Sequence, residues 1–471
     1  MERNRKLNTL SQYLLMVLLL FTGLNAGAQE QNTDTKFRMP LKDAIHMLEE
    51  RFQIEIRFDD HLVDGVELDY APWRLRADRD QSLANVFSPL DLKVQKVSEN
   101  KYKLKEYEYF RWEVQEAWDY LDYLAGKYHD KESWLLRKDS IRTDLMKALK
   151  LDPLPEYGNR KPIRTKKRNH GDYTVENFAL EIMPGLFING SIYRPKKVSG
   201  KIPLMLSPDG HWGGHRFRKD AQIRNAMIAK MGAVSVSYDL FAWGESLLQF
   251  NSEDHRRPLA LTVQTLSALR ILDMMLEEKQ IDPNRVGISG GSGGGNHAVL
   301  VTAIDGRIKL SIPVASLSSY HFGGCPCESG FPIHFSANGT NNVEIAAMTA
   351  PRPQLLISDG GDWTAHMPEH DFPYLKNVYR YFGAESELEN VHLPDDAHDF
   401  GYSKRKPVYT FLIKHFGLNS GKYLTSDGEF EESSCVIEEE EDMYAFGKNG
   451  QRLPENAIIG YEELEKLFKQ Y

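Results

Sequence analysis

The feature that most constrains this chain is a turn of almost pure glycine around one serine. Residues 290–294 read Gly-Gly-Ser-Gly-Gly, directly after the strand-like stretch Val286–Ser289. A G-x-S-x-G turn between a strand and a helix holds its serine in a strained conformation, and small flanking residues let the two elements approach. The pattern therefore predicts a nucleophile elbow with Ser292 at its tip. The alternative is a flexible glycine-rich loop, so the order of the surrounding elements decides between the two.

Residues 171–418 alternate predicted strands with predicted helices. We predict strands at residues 173–182, 186–193, 203–207, 233–238, 286–289, 310–314, 354–358 and 390–393. We predict helices at residues 218–230, 258–278, 294–303, 371–382 and 407–416. Apolar strands that alternate with helices are typical of a mostly parallel sheet covered by helices on both faces. The predicted fold class is therefore α/β.

An acid and a histidine follow Ser292 in the chain order that serine hydrolases with a nucleophile elbow use for their catalytic triad. Asp362 lies on a glycine-containing turn just after a predicted strand, and His398 lies between the last predicted strand and the last predicted helix. We predict that His398 is the general base and that Asp362 orients it. Asp359 is an alternative acid that lies closer to the end of its strand, and Glu328 is a second alternative.

Acyl transfer also requires hydrogen-bond donors for the oxyanion. The backbone N–H of Gly293 is one candidate because it directly follows the nucleophile. The second donor is expected in the loop at residues 208–214, where His211 or Trp212 supplies a backbone N–H between flanking glycines. The alternative for both residues is simple loop packing.

Three side chains in other loops are assigned as candidate substrate-binding residues. Trp243 lies in a segment that resembles the D-x-x-G-x-G-x-S turn of many hydrolases, with Ala242 in place of the first glycine. A structural turn is the simplest interpretation of that segment. Glu328 ends a second segment, residues 321–328, which is expected to line the site. Trp363 directly follows Asp362.

Seven segments of residues 171–418 together resemble the α/β-hydrolase superfamily, and most closely its acetylxylan-esterase-like and dienelactone-hydrolase-like branch. They are MPGLFINGSIYRP, SPDGHWGG, YDLFAWGES, IDPNRVGISGGSGGG, GGCPCESGFPIH, SDGGDWT and DDAHDFG. The resemblance implies an α/β-hydrolase fold and a serine carboxylesterase that removes ester groups, first of all acetyl groups, from plant polysaccharides through an acyl-enzyme.

Alternative functions remain open. A pectin methyl esterase or a glucuronoyl esterase would favour a cation near the sugar, and possible sources are Arg216, Arg218, Arg256 and Arg257. A serine peptidase is less favoured because the chain lacks the length for the propeller expected of such enzymes. The least favoured alternative is a non-catalytic signalling or binding protein.

No cofactor and no metal are predicted, and the expected partner is an esterified carbohydrate. The formal charge of −9 and the absence of a basic stripe argue against nucleic acid as a partner. Three cysteines are present, of which Cys325 and Cys327 could form a small strained ring or one of them could pair with Cys435. Zinc is disfavoured at this stage because two thiols one residue apart, without a second nearby pair, do not match structural-site spacing.

The first 28 residues are predicted to be a secretory signal peptide. Basic residues precede an apolar run at residues 13–24 that ends at Ala26-Gly27-Ala28. The run is too short for a stable membrane-spanning helix, which needs about 20 apolar residues. We therefore expect export to the periplasm of a Gram-negative bacterium or to the exterior.

Four further domains are predicted after the signal peptide. Residues 37–107 form a small α+β domain whose segments PLKDAIHMLEERFQIEIRFDDHLV and SLANVFSPLDLKVQKVSENKYKLK resemble the short N-terminal domain of secretins and TonB-dependent receptors. That resemblance implies docking to a protein partner. Residues 108–170 are a helical connector expected to pack on the hydrolase, and residues 171–418 are the catalytic domain. Residues 419–471 are an acidic C-terminal extension, in which the charge run at residues 438–442 is expected to be solvated and residues 461–471 to form a last packed helix.

Overall fold

The structure, a computed structural model, describes residues 38–108, 110–328 and 331–471. The predicted signal peptide, residues 1–28, lies outside the described residues. The chain divides into two compact units, Met1–Tyr109 and Phe110–Tyr471. Within the described parts of both units, no helix combines the length and apolar character needed to cross a bilayer.

The first unit contains short strands and helices around its own apolar core. Its elements are β1 (Met39–Pro40), α1 (Leu41–Phe52), β2 (Glu55–Arg57), β3 (Glu67–Leu68), α2 (Ala71–Arg74), α3 (Arg79–Phe87), β4 (Leu92–Ser98) and β5 (Lys101–Glu106). Strand β5 lies between β2 and β4. Helix α1 buries Leu41, Ala44, Ile45 and Leu48, which recur at helical spacing along one face. The resemblance to the secretin and TonB short domain stays a prediction.

The second unit is built around one large sheet. Its strands are β6 (Ile163–Arg164), β7 (Arg168–His170), β8 (Tyr173–Met183), β9 (Leu186–Pro195), β10 (Ile202–Pro208), β11 (Val234–Tyr238), β12 (Ile281–Gly291), β13 (Leu310–Val314), β14 (Gln354–Asp359) and β15 (Leu388–Leu393). Its helices are α4 (Val114–Ala125), α5 (Lys131–Ala148), α6 (Lys219–Lys230), α7 (Ala260–Leu276), α8 (Gly293–Ile304), α9 (Phe331–His334), α10 (Asn342–Ala347), α11 (Phe372–Arg380), α12 (Tyr402–Phe416) and α13 (Tyr461–Phe468).

Among the described residues, the sheet holds ten strands in the order β15-β14-β13-β12-β10-β11-β9-β8-β6, with β7 paired to β8. The strands from β15 to β11 pair in parallel, and the β9, β8, β7 and β6 end of the sheet is antiparallel. Along β10, Leu204 and Leu206 belong to one apolar cluster and Met205 to another. Helices therefore cover both faces of the sheet, which confirms the predicted α/β class.

The last helix of the sheet region begins earlier than predicted. We expected it at Pro407, but α12 already begins at Tyr402 and contains the proline. Its first turn is held by contacts of Lys404 with the preceding loop and with Asp359 of β14, which a sequence pattern does not reveal. The buried Lys404 ammonium donates to Ala397 O at 2.6 Å and lies 3.0 Å from the Asp399 carboxylate.

Helices α4 and α5 belong to the second unit. Leu121 of α4 and Trp134 of α5 lie in the same core cluster as the sheet, and both are fully buried. The Arg137 guanidinium forms two 2.8 Å bonds with the buried Glu344 carboxylate of α10. The helical segment is thus attached to the sheet region by both apolar packing and a buried ion pair.

The expectation of a solvated acidic tail is wrong for one residue of the acidic run. The Glu438 carboxylate is buried, where it receives two 2.7 Å bonds from Arg168 and lies 2.5 Å from His170 Nε2. Residues 439–442 are exposed, as a charge run predicts. Further on, α13 buries Tyr461, which lies in the main core cluster. Sequence composition could not identify Glu438 because its partners lie some 270 residues away.

Candidate active site

Ser292 lies at the turn between β12, which ends at Gly291, and α8, which begins at Gly293. Its backbone has φ 53° and ψ −127°. A non-glycine residue at positive φ is strained by about 1–3 kcal/mol and persists only where its surroundings enforce it. Here the Ser292 N–H donates to Val314 O of the neighbouring strand at 2.9 Å. The predicted elbow is therefore present as a strained turn that is hydrogen-bonded to the neighbouring strand.

The glycines of the turn are required by close backbone contacts. A Cβ atom added to Gly290 would lie 2.3 Å from Gly294 O, and one added to Gly294 would lie 2.7 Å from Pro208 O. Contacts this short do not occur for real Cβ atoms, and backbone atoms cannot rotate away as a flexible side chain can. The two glycines thus allow β12, α8 and the loop after β10 to meet around Ser292.

Ser292, His398 and Asp362 form one chain of hydrogen bonds. His398 Nε2 lies 3.0 Å from Ser292 Oγ, and His398 Nδ1 lies 2.6 Å from Asp362 Oδ2. The other oxygen of Asp362 accepts from the Thr364 N–H and hydroxyl, both at 2.6 Å. Burial disfavours the charge of Asp362, but the bonds from His398 and Thr364 outweigh it and hold the pKa of Asp362 below its ordinary value. The structure brings the three predicted residues together, and their catalytic roles stay a prediction.

The two alternative acids point elsewhere. Asp359 is fully buried, lies 3.3 Å from the Lys404 ammonium and accepts from the Gly361 N–H within its own turn. Burial and the nearby Asp362 charge raise the pKa of Asp359. The Glu328 carboxylate lies 2.9 Å from His211 Nδ1. Of the three acids, Asp362 therefore has the geometry for orienting His398.

Aromatic rings enclose the His398 imidazole. The ring of Trp363 lies 4.5 Å from it and that of Trp212 lies 5.3 Å from it, centroid to centroid. Trp363 is held in place because its Nε1–H donates to Ser316 O at 2.9 Å. The His321 ring lies 4.3 Å from that of Trp363, and burial lowers the pKa of His321 to about 4. These rings leave only 25% of the His398 side chain exposed, and this partial burial strengthens the electrostatic interactions of the hydrogen-bond chain.

The predicted oxyanion donors lie beside the nucleophile. Gly293 is the first residue of α8, where backbone N–H groups have no acceptor within the helix. A Cβ on Gly210 would lie 2.8 Å from Ser292 Cβ, so the loop that carries His211 and Trp212 runs directly against the elbow. The arrangement can present two backbone N–H groups to one oxygen, and this role stays a prediction.

Glu328 also lies next to the elbow. A Cβ on Gly293 would be 2.6 Å from Glu328 Oε1 and 2.8 Å from His211 Cε1. Glu328 is thus placed to meet a substrate bound at Ser292, although its nearest partner is the His211 ring. Trp243 packs against the rings of His211, His215 and His255, at 5.3, 4.4 and 5.1 Å. His255 was not predicted as a site residue, because no local motif marks it.

Most of the arginines that were candidates for binding a uronate form ion pairs with aspartates or glutamates of this chain. Arg216 is fully buried and lies 2.6 Å from Asp239. Arg218 pairs with Asp209 and Asp220, and Arg257 with Glu465. Arg256 is exposed. Another exposed arginine, Arg111, was not predicted from the sequence. It forms a β-bridge with His321, whose ring packs against Trp363.

Comparisons with known proteins found similarity to esterases and to a hydrolase. The solved structure of Methylesterase BT1017 is 46% identical to this chain, covers 93% of it, is itself covered to 98%, and superposes with a TM-score of 0.82. A profile described as "Glucuronyl esterase, fungi" matches residues 252–327, which include the elbow. YtaP of Bacillus subtilis (strain 168), a protein with a provisional assignment as a hydrolase, is 27% identical over 238 residues, which are 43% of this chain and 76% of YtaP.

Proposed function

Because the chain belongs to the α/β-hydrolase-fold esterase family of Methylesterase BT1017, and is accordingly a carboxylic ester hydrolase, we propose that it removes methyl groups from esterified uronic acids of a polysaccharide. The observation that carries a serine mechanism is the hydrogen-bond chain from Ser292 through His398 to Asp362 at a strained elbow. The 46% identity to a methylesterase across nearly its whole length favours the methyl ester.

The proposed reaction uses an acyl-enzyme. Ser292 Oγ attacks the ester carbonyl carbon while His398 Nε2 takes the hydroxyl proton, and Asp362 stabilises the resulting imidazolium. The Gly293 N–H and one N–H of the loop bearing His211 donate to the oxyanion. His398 then returns the proton to the departing methoxide, which leaves as methanol. Water attacks the acyl-enzyme through the same base, and the uronic acid is released with Ser292 restored.

Methyl and acetyl esters place the sugar on opposite sides of the scissile bond. In a methyl uronate the sugar is the acyl part and stays on Ser292, whereas in an acetylated sugar it is the leaving group. Both would occupy the same catalytic residues, so the geometry alone does not distinguish them. The acetyl ester that the sequence resemblance implies is the second candidate, and a glucuronoyl ester is a third, supported by the profile match at residues 252–327.

The substrate is tested by measuring both products. We expect the purified protein to release methanol from methyl-esterified pectin faster than acetate from acetylated xylan. The Ser292→Ala variant should lose at least about a thousandfold of this activity, because removing a nucleophile leaves only the contribution of the oxyanion site and binding. Acetate release that exceeds methanol release would favour the acetyl ester. Full activity in Ser292→Ala would contradict the mechanism.

The proposal also includes export of the protein and binding of its first unit to a protein partner. A polysaccharide esterase meets its substrate outside the cytoplasm, which supports the signal peptide predicted in residues 1–28. Cell fractionation and N-terminal sequencing of the mature protein test it, and an N-terminus near residue 29 is expected. Residues 37–107, the domain that resembles the short N-terminal domain of secretins, are proposed to bind a protein partner.

A further inference from the structure

Four metal-ligating side chains from three separate segments meet beside the elbow. They are His211, His255, Cys325 and Cys327, and one ligand atom of each lies within 4.8 Å of the others. His211 Nε2 lies 2.7 Å from His255 Nε2 and 3.0 Å from Cys327 Sγ. Two imidazoles and two thiols are the donor set of a structural zinc site.

The outer nitrogen of each imidazole is already bound. His255 Nδ1 lies 2.6 Å from Phe241 O, a carbonyl that can only accept, so Nδ1 carries the proton. His211 Nδ1 lies 2.9 Å from the Glu328 carboxylate, which is likewise an acceptor. With the proton of each neutral ring on Nδ1, both Nε2 lone pairs face the same region. A carbonyl or carboxylate that fixes the outer nitrogen is the usual support of a metal-bound histidine.

Two Nε2 atoms 2.7 Å apart either share a proton, with His211 as an imidazolium beside Glu328, or direct both lone pairs at one metal ion. A tetrahedral zinc ion, with bonds of about 2.0–2.1 Å to nitrogen and 2.3 Å to sulfur, places its ligand atoms roughly 3.3–3.8 Å apart. The distances from His211 Nε2 to His255 Nε2 and Cys327 Sγ, 2.7 and 3.0 Å, and the upper limit of 4.8 Å for the whole set bracket that range. We propose that His211, His255, Cys325 and Cys327 bind one Zn²⁺ ion.

The spacing of the two thiols alone does not match a zinc site. The two histidines that complete the set lie far from Cys325-Pro326-Cys327 along the chain, and only the fold brings them together. The proposed pairing with Cys435 does not occur, since all three cysteines are free and Cys435 packs against the cluster of Tyr173 and Tyr193 instead. Soft thiolates with imidazoles favour zinc over magnesium or calcium, which prefer oxygen ligands.

The site would hold the oxyanion loop in place. His211 belongs to the loop after β10, His255 to a segment after β11, and the two cysteines to the segment after β13. One ion would link all three at a point where the His211 ring approaches Gly293. The metal thus positions a backbone N–H rather than activating water. Zinc binding itself does not depend on which ester the protein cleaves.

Metal content tests the proposal directly. The intact protein, purified without chelator, should carry about one zinc per chain by elemental mass spectrometry. The Cys325→Ser/Cys327→Ser double variant should lose it, whereas the matched Cys435→Ser variant should retain it. Cobalt reconstitution should give thiolate-to-metal absorption in wild type and in Cys435→Ser, and none in the double variant.

The wild type alone also decides the matter if the double variant fails to fold. Removing zinc with a chelator should lower the unfolding temperature of wild type and of Cys435→Ser, and added zinc should restore it. The proposal is overturned if reduced wild type neither carries nor takes up zinc, or if the double variant binds zinc as tightly as wild type. Wild type isolated with a Cys325–Cys327 disulfide that takes up no zinc after reduction would also overturn it.

Discussion

His398 Nδ1 lies 2.6 Å from Asp362 Oδ2, while the neighbouring Asp359 carboxylate is directed at Lys404 instead. Two aspartates three residues apart on one turn therefore have different tasks. One can orient the base, and the other joins the turn to the start of α12. Substitutions of the two aspartates should therefore have different effects on activity and on stability.

Replacing each aspartate by asparagine should separate these tasks. Asp362→Asn is expected to lower kcat by about 10⁴-fold with a nearly unchanged unfolding temperature, because an amide favours the wrong tautomer of His398. Asp359→Asn should lower the free energy of unfolding by about 1–3 kcal/mol through loss of a buried charge partner, with less than about a tenfold loss of kcat. Steady-state kinetics and urea unfolding measure both quantities. The opposite pattern would make Asp359 the acid.

Gly290→Ala should damage the elbow. The new Cβ would lie 2.3 Å from Gly294 O, and relieving that contact requires moving backbone next to Ser292. We expect a loss of about 1–3 kcal/mol in stability together with a strong loss of kcat. Gly306→Ala is the matched control, since its Cβ would meet nothing within 4 Å. Equal behaviour of the two variants in unfolding and kinetic assays would argue against a tightly packed elbow.

The Arg137–Glu344 pair should stabilise the second unit strongly. Its side chains are 9% and 0% exposed, so Arg137→Met leaves a buried carboxylate without its partner and should cost about 3–5 kcal/mol. Arg160→Met, in a pair that is 64% and 60% exposed, should cost less than about 1 kcal/mol. Urea unfolding of both variants tests this. Similar costs would mean that α5 is not anchored through Arg137.

His297 should make the second unit less stable in acid. It is fully buried on α8, its Nε2 lies 3.1 Å from the Tyr238 hydroxyl, and burial lowers its pKa to about 4. In the unfolded chain the His297 imidazole binds a proton below about pH 6.5, whereas in the folded chain it does so only below about pH 4. The stability associated with neutral His297 is thus complete above pH 6.5 and declines as the pH falls toward 4.

His297→Gln should therefore reduce the pH dependence of the unfolding free energy between pH 6.5 and 4, by up to about 1.4 kcal/mol per pH unit. Tyr238→Phe is the control, because it removes the hydrogen bond and leaves the histidine. That variant should be less stable at every pH with the wild-type slope. Parallel curves for wild type and His297→Gln would show that His297 does not titrate in this window.

Local pattern was sufficient for much of the fold and for the predicted site. Strand β13 has the predicted bounds Leu310–Val314, because an apolar run between turn signals identifies a buried parallel strand. The order of Ser292, Asp362 and His398 placed each on a loop at the carboxyl end of a strand, and parallel strands bring those ends to one edge. The early start of α12 was not predictable, since it depends on contacts of Lys404 outside the helix.

The amino-acid sequence by itself determined the α/β class, the glycine turn around Ser292 and the order of an acid and a histidine behind it. These depend on short-range periodicity and on chain order, both of which are visible in a single sequence. Only the tertiary structure decided that Asp362 rather than Asp359 faces His398, and that His211 and His255 meet Cys325 and Cys327. Those outcomes depend on side-chain direction and on contacts between loops of distant strands, which closing the sheet creates and which leave no local pattern.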